Sequence, residues 1–182
     1  MKRTVYFLTA AFVLLCAVFI VLYSKTRAGW AESCAITFGT CSYHMLMRLA
    51  VGFLVNLCMQ NHADPLHAWF RQKKWEPALY KKLHVKQWKK HIPTFSPETF
   101  SPQLHTWDEI AQAMCQSELV HEIIFVLSFL PLAAAVPFGA FFVFLFTSLA
   151  AAGFELMLII VQRYNRPRIM RLAGYSHKKG SA

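Results

Sequence analysis

The chain has 182 residues, of which 56% are hydrophobic and only 15% are charged, and its net charge is +10. A soluble domain is about half apolar but about a quarter charged, so this composition argues against an ordinary soluble domain. The basic residues flank apolar runs instead of forming one basic surface, which argues against nucleic acid as a partner. We therefore predict an all-α integral membrane protein whose cationic segments meet lipid headgroups or a phosphate-bearing substrate.

Two apolar segments occupy the amino-terminal part of the chain. Residues 4–23 carry no charge and can cross a bilayer core of roughly 30 Å. The polar residues that follow form a poor cleavage site, so we expect a retained helix rather than a signal peptide. The second segment, 34–59, contains Arg48 near its centre, where a charge costs from about 3 to over 10 kcal/mol. It either spans the membrane with Arg48 facing a polar site or lies in the interface.

The loop of residues 60–118 is strongly basic, with eight Lys and Arg residues before Pro93. Cytoplasmic loops carry such an excess of positive charge, so we place this loop and the tail of residues 163–182 in the cytoplasm. Both termini are then cytoplasmic, and 34–59 is the second of about four spans.

Aromatic residues are interspersed among the cations of this loop. Asp64-Pro65 predicts the start of a helix and Pro77 its end. With Trp69 and Trp75, this segment is either an amphipathic helix on the membrane surface or a solvated basic loop. The histidines of the loop lack the spacing of metal ligands, so no metal site is predicted.

The last two spans are predicted at about 119–136 and 138–162, completing a single membrane domain over residues 1–182. No charge occurs between residues 123 and 154, and Val136-Pro137-Phe138-Gly139 interrupts that run. Closely spaced proline and glycine punctuate helices. We therefore predict a helical hairpin that turns near Pro137.

A reflection of the sequence about Pro137 brings ionisable residues to one depth. At equal rise per residue, Glu155 lies level with Glu118, His121 and Glu122, and Glu118 and His121 share one helix face. Ionisable groups at such depth are costly and typical of functional sites. A buried structural network, or carboxylates that reach for the headgroups, would give the same pattern.

The last apolar run ends in polar and basic residues, a pattern that composition alone explains as an aromatic belt with stop-transfer charges. The identity and order of the residues indicate more than the composition does. Three blocks resemble, in the same order, the glycosyl-4,4'-diaponeurosporenoate acyltransferase family, small membrane enzymes of carotenoid biosynthesis. The resemblance covers roughly residues 79–172, and its last block is the specific one. The blocks are Val85-Lys86-Gln87-Trp88-Lys89, Glu118-Leu119-Val120-His121 and Ile159-Ile160-Val161-Gln162-Arg163-Tyr164-Asn165-Arg166-Pro167-Arg168.

Four positions depart from the family pattern. Gln116 stands where the family commonly has a basic residue, and Glu122 stands where it has Trp. Glu155 and Met157 replace the usual Asn and Pro of the last span. Such changes alter the expected pocket, and so the substrate, more than the class of reaction.

The resemblance implies transfer of a fatty acyl group onto a sugar hydroxyl of a glycolipid or carotenoid glycoside at the cell (inner) membrane. The implied partners are membrane lipids, a lipid-linked sugar acceptor and an acyl donor, either acyl-CoA or acyl-carrier protein. No cofactor is implied. His121 is expected to act as the general base, with Glu118 or Glu155 to orient it.

The expected substrate-binding residues fall in the first and last blocks. Trp88 and Asn165 are candidates for donors to the oxyanion, and Lys86 would join the basic residues that hold an anionic donor. The full set is Trp88, Lys89, Gln162, Arg163, Tyr164, Asn165, Arg166 and Arg168.

Two other classes of protein fit the sequence. A non-catalytic membrane subunit or anchor would use Trp69, Trp75 and the basic loop to dock a partner enzyme. A small conduit would be lined by Arg48 and Glu155, and four short spans could form one only as an oligomer.

Overall fold

A computed structural model of the protein describes residues 2–92 and 94–175, and over these ranges the chain is helical without a strand. Four of its helices are long and apolar enough to cross a membrane. The prediction of an all-α membrane protein with about four spanning helices is thereby confirmed. The four helical segments are Lys2–Thr26, Gly29–Met59, Trp107–Phe138 and Phe141–Leu172.

The first two helices, α1 (Lys2–Thr26) and α2 (Gly29–Met59), are joined by a two-residue turn. Arg27 takes a left-handed conformation in this turn, with φ of 52°. Stacked aromatic rings pack the two helices together, with the Phe19 and Phe38 centroids 5.4 Å apart. The ambiguous segment 34–59 thus lies inside one continuous helix that begins at Gly29.

The loop after α2 contains α3 (Glu76–Lys82) and α4 (Val85–Trp88), together with short 3-10 turns. The prediction of a helix from Asp64 to Pro77 is wrong, because between Asp64 and the start of α3 at Glu76 only Ala68–Phe70 is helical, as a 3-10 turn. The carbonyls of Leu66, Phe70 and Arg71, which a helix would pair with N–H groups four residues on, accept arginine side chains instead. Pro77 lies in the first turn of α3, where proline removes no helical hydrogen bond.

The predicted hairpin is made by α5 (Trp107–Leu127) and α7 (Phe141–Leu172), with the short helix α6 (Ala135–Phe138) between them. A capping box begins α5, since Thr106 and Glu109 exchange side-chain-to-backbone hydrogen bonds. The turn lies at Gly139, which has a positive φ of 66°. The sequence thus located the turn to within two residues.

The chain divides into two compact units, and α2, α5 and α7 each contribute to both. One unit contains the residues up to Gly52 together with Ile123–Phe154. The other contains Phe53–Glu122 together with the chain from Glu155 onward. Every residue of the predicted site belongs to this second unit. That a single domain spans residues 1–182 stays a prediction.

Gly139 offers a test of the turn. A Cβ at Gly139 would meet nothing within 4 Å, so the cost of Gly139→Ala comes from the positive φ alone. We expect that variant to lose roughly 1–2 kcal/mol. The matched control is Gly153→Ala, which also meets nothing within 4 Å but lies inside α7, where alanine is favoured by roughly 0.5–1 kcal/mol. Unfolding in micelles measures both, and equal effects would contradict the turn.

Candidate active site

The centre of the site is a hydrogen bond between α5 and α7. His121 Nδ1 lies 2.7 Å from Glu155 Oε2. The Glu155 side chain is fully buried, whereas the His121 side chain remains 19% exposed. The reflection about Pro137 predicted this proximity, and the structure brings the two side chains into direct contact.

The pairing determines which nitrogen of His121 is available. When the Glu155 carboxylate is ionised it only accepts hydrogen bonds, and Nδ1 of a neutral imidazole is then the donor of this contact. The lone pair then lies on Nε2, which has no hydrogen-bond partner in the described ranges 2–92 and 94–175. An imidazole held through Nδ1 by a carboxylate, with Nε2 open, has the arrangement of a general base.

Glu118 takes a different role from His121, although the two share one helix face. Its fully buried carboxylate accepts hydrogen bonds from Arg163, at 2.5 Å, and from Arg166. Both of its oxygens are therefore bound by guanidinium groups. Of the two carboxylates proposed to orient the imidazole, the structure pairs Glu155 with His121.

The two arginines also hold the basic loop. Arg166 is 1% exposed, and its second nitrogen donates to the backbone carbonyl of Phe70. Arg163 donates to the Arg71 carbonyl and, at 2.6 Å, to the Glu76 carboxylate. These bonds tie residues 70–76 to the hairpin of α5 and α7.

Glu76 is the principal residue that the sequence reasoning missed. It is 2% exposed and accepts hydrogen bonds from Arg163 and from the Tyr80 hydroxyl, the latter at 2.7 Å. The only available signal was an acidic residue within a run of basic ones. That signal gives no partner, because Arg163 lies 87 residues away in the sequence.

The charge state of Glu76 follows from opposing effects. Burial opposes ionisation of the carboxylate, but hydrogen bonds from Arg163, Tyr80 and a backbone N–H outweigh it and hold the pKa of Glu76 below its usual value. Burial, followed by the hydrogen bond to Glu76, raises the pKa of Tyr80 well above its usual range. Glu76 is therefore an anion and Tyr80 a neutral hydrogen-bond donor.

The predicted oxyanion donors lie away from His121. The Trp88 indole N–H donates to the carbonyl of Leu83. Asn165 accepts a hydrogen bond from Lys89 through its side-chain oxygen. Ten residues of helix separate Asn165 from Glu155, roughly 15 Å of axial rise. The structure therefore does not bring Trp88 or Asn165 together with the imidazole.

The remaining predicted binding residues line α7 toward its carboxyl end. Gln162 donates to Ser117 on α5 at 3.1 Å. The Tyr164 ring packs edge-on against Tyr80, with centroids 5.6 Å apart. The Lys89 ammonium lies 4.6 Å from the centroid of the Tyr164 ring. Arg168 is exposed.

Besides Glu155, two other departures from the family pattern have partners in the structure. Gln116 is buried, accepts the backbone N–H of Asn61 at 2.6 Å and donates to Asn56, so it fixes the start of the loop. Glu122 accepts the indole N–H of Trp69 at 2.7 Å. Both positions attach the loop to α5 without using a charge pair. No group of three metal-ligating residues occurs in the described part of the chain.

These helices and this buried polar network define an integral membrane protein with an internal histidine–carboxylate pair. The model of the glycosyl-4,4'-diaponeurosporenoate acyltransferase family matches residues 66–174. That match covers more than half of the chain, so the chain belongs to this acyltransferase family. The resemblance inferred from residues 79–172 is confirmed and extends further toward the amino terminus. Curated proteins and solved structures yield no match.

Glu118 can be tested as a structural anion. Glu118→Gln would leave the buried guanidinium of Arg166 without its counter-charge, and breaking a buried pair in this way costs about 3–5 kcal/mol. Glu122→Gln is the matched control, because its amide oxygen can still accept from Trp69; we expect a loss of about 1 kcal/mol or less. Unfolding of both variants in neutral micelles provides the comparison. Equal stabilities would contradict the structural role of Glu118.

Glu76 makes stability depend on pH. Its pKa in the folded protein lies below its ordinary value of 4.5, so its contribution is fully present above pH 4.5. The contribution is lost as pH falls through the folded pKa. We expect wild type to be more stable than Glu76→Gln at neutral pH, with a difference that shrinks in acid. Unfolding measured against pH checks this, and a difference independent of pH would refute it.

Proposed function

We propose that the protein is a membrane acyltransferase that moves a fatty acyl group onto a sugar hydroxyl of a glycolipid or carotenoid glycoside. Membership of the acyltransferase family supports the class of reaction. The observation that carries the proposal is the 2.7 Å contact between His121 and the buried carboxylate of Glu155. A hydroxyl is a weak nucleophile at neutral pH and needs a positioned base.

In the proposed reaction, the sugar hydroxyl gives its proton to Nε2 of His121 as its oxygen attacks the acyl carbonyl of a thioester donor. Glu155 holds the imidazole and stabilises the cation that forms. The tetrahedral intermediate then expels the thiol sulfur, which takes the proton back from Nε2. The products are the acyl ester and the free thiol, and His121 returns to its starting state.

The position of His121 suits an acceptor that stays in the membrane. His121 lies just before the uncharged run of residues 123–154, so a lipid acceptor could present its sugar near the membrane boundary and keep its tail in the bilayer. The basic loop, by its charge, would face the cytoplasm, where a soluble acyl donor is available. The proposed location is the cell (inner) membrane, with both termini cytoplasmic.

The contacts of the basic residues support different proposed roles for them. Arg163 and Arg166 are bound by Glu76 and Glu118, so we assign them to positioning the loop instead of binding the donor. Lys89 and Arg168 stay in the proposed donor site. Glu118 supports the catalytic pair through the fold and has no direct role in the proton transfer.

A non-catalytic subunit is the second candidate. It is favoured by Trp69 and Trp75, which are 58% and 62% exposed on the basic loop and would suit docking of a partner. This function predicts that substitution of His121 is harmless once the protein is inserted. The acyltransferase proposal makes the opposite prediction.

Substitution of His121 tests the reaction. His121→Ala and His121→Gln remove the base, and such a loss reduces the rate by about a hundredfold or more. His105→Ala is the matched control, because His105 is exposed and outside the site. Lipid mass spectrometry of cells expressing each variant, normalised to the amount of inserted protein, measures the acylated product. Undiminished product in the His121 variants would exclude His121 as the general base and favour the non-catalytic subunit.

Two substitutions of Glu155 separate its role in orienting the imidazole from the effect of its negative charge. Glu155→Asn restores the residue usual in the family and keeps an oxygen that accepts the Nδ1 proton, but it removes the negative charge. Glu155→Leu removes both. We expect an intermediate loss of acylation for Glu155→Asn and a loss close to that of His121→Ala for Glu155→Leu. Equal, full activity of both variants would contradict the role of Glu155.

A further inference from the structure

Three cations from two separate segments gather near the carboxyl end of α7. Lys89 reaches from the end of α4 to Asn165, to which it donates a hydrogen bond, and lies over the ring of Tyr164. Arg168 follows Asn165 by three residues and Tyr164 by four, so it shares their face of α7. Lys86 precedes Lys89 by three residues on α4 and its 3-10 extension.

The electrostatics of Lys89 show that these charges act on one another. Burial, followed by the positive charges of Arg168 and Lys86, holds the pKa of Lys89 below its usual value. Lys86, Lys89 and Arg168 form no ion pair with a carboxylate within residues 2–92 and 94–175. Arg163 and Arg166, by contrast, are neutralised by buried carboxylates. Like charges held together without a counter-charge favour binding of an anion.

The segment that carries the lysines is well fixed. Val85, at the start of α4, is fully buried, and the Trp88 indole donates to the Leu83 carbonyl. Tyr80 packs against Tyr164 and so holds the preceding helix on α7. The cations therefore project from a packed platform.

We propose that Lys86, Lys89 and Arg168 form a binding site for a phosphate ester. A phosphate group carries several acceptor oxygens and more than one charge, so it can engage an arginine fork and two ammonium groups together. The ester comes from a coenzyme-type acyl donor or from the headgroup of an anionic phospholipid. The coenzyme source rests on the proposed acyltransferase function, whereas the phosphate site itself does not.

Binding can be tested without turnover. The full chain in phosphatidylcholine nanodiscs is titrated calorimetrically with coenzyme A and with pantetheine, which lacks the phosphates. Native mass spectrometry of the protein purified in neutral detergent records retained phosphatidylglycerol. The test variant is Lys86→Gln/Arg168→Gln, and the matched control is Lys81→Gln/Lys82→Gln, which removes two exposed lysines from α3.

A coenzyme site predicts that wild type binds coenzyme A more tightly than pantetheine. The test variant should weaken coenzyme A binding by about ten- to a hundredfold, the range of a charge-assisted hydrogen bond, and added salt should weaken it in wild type. A headgroup site predicts instead that phosphatidylglycerol is retained by wild type and lost from the test variant. The control variant should behave as wild type in both measurements.

Two results would overturn the proposal. One is that neither ligand depends on Lys86 and Arg168. The other is that the control variant loses as much binding as the test variant, which would reduce the effect to general surface charge. His121→Ala should bind either ligand as wild type does, so a failed phosphate site and a failed reaction mechanism give different results.

Discussion

The second compact unit depends on one buried cation. Arg166 is almost completely removed from solvent, yet both ends of its guanidinium group are bound, by the Glu118 carboxylate and the Phe70 carbonyl. An unpaired charge at this depth would be strongly destabilising. The helices and the loop must therefore meet in the one register that satisfies it. Arg163 repeats the arrangement between Glu118 and Glu76, so three segments that are distant in the sequence share one polar network.

This network explains how His121 comes to be positioned. The arginines bind Glu118 one turn before His121, and they hold α5 against α7 on the face that carries both residues. Glu155 then meets the imidazole from the opposite helix. Precise placement of a base needs support from surrounding contacts, and here that support is ionic. The family usually has Asn at this position of α7. In this chain Glu155 instead places a buried carboxylate against the imidazole of His121, the proposed base.

The features that could be predicted from the sequence are those that follow from regular helix geometry. A proline and a glycine interrupted an uncharged run, and equal helical rise on either side was enough to bring His121 and Glu155 to one level. It could not predict the ionic partners of Glu118, because long arginine side chains reach across a turn or more of helix. The loop was harder still. The helix predicted from Asp64 does not form, because arginine side chains bind the backbone carbonyls of that segment. Glu76 contacts Arg163, which is distant in the sequence, and no periodicity indicates such a contact.

The position of Arg168 has a consequence for the size of molecule that the protein can use. Thirteen residues of α7 separate it from Glu155, roughly 20 Å of axial rise. A donor anchored by its phosphates at Lys86, Lys89 and Arg168 must therefore cross that gap before its thioester meets Nε2 of His121. A compact activated acid, such as an acyl phosphate, would be held out of reach, whereas a slender flexible arm could bridge the interval. In the proposed reaction, the axial distance along α7 would therefore select acyl donors by their length.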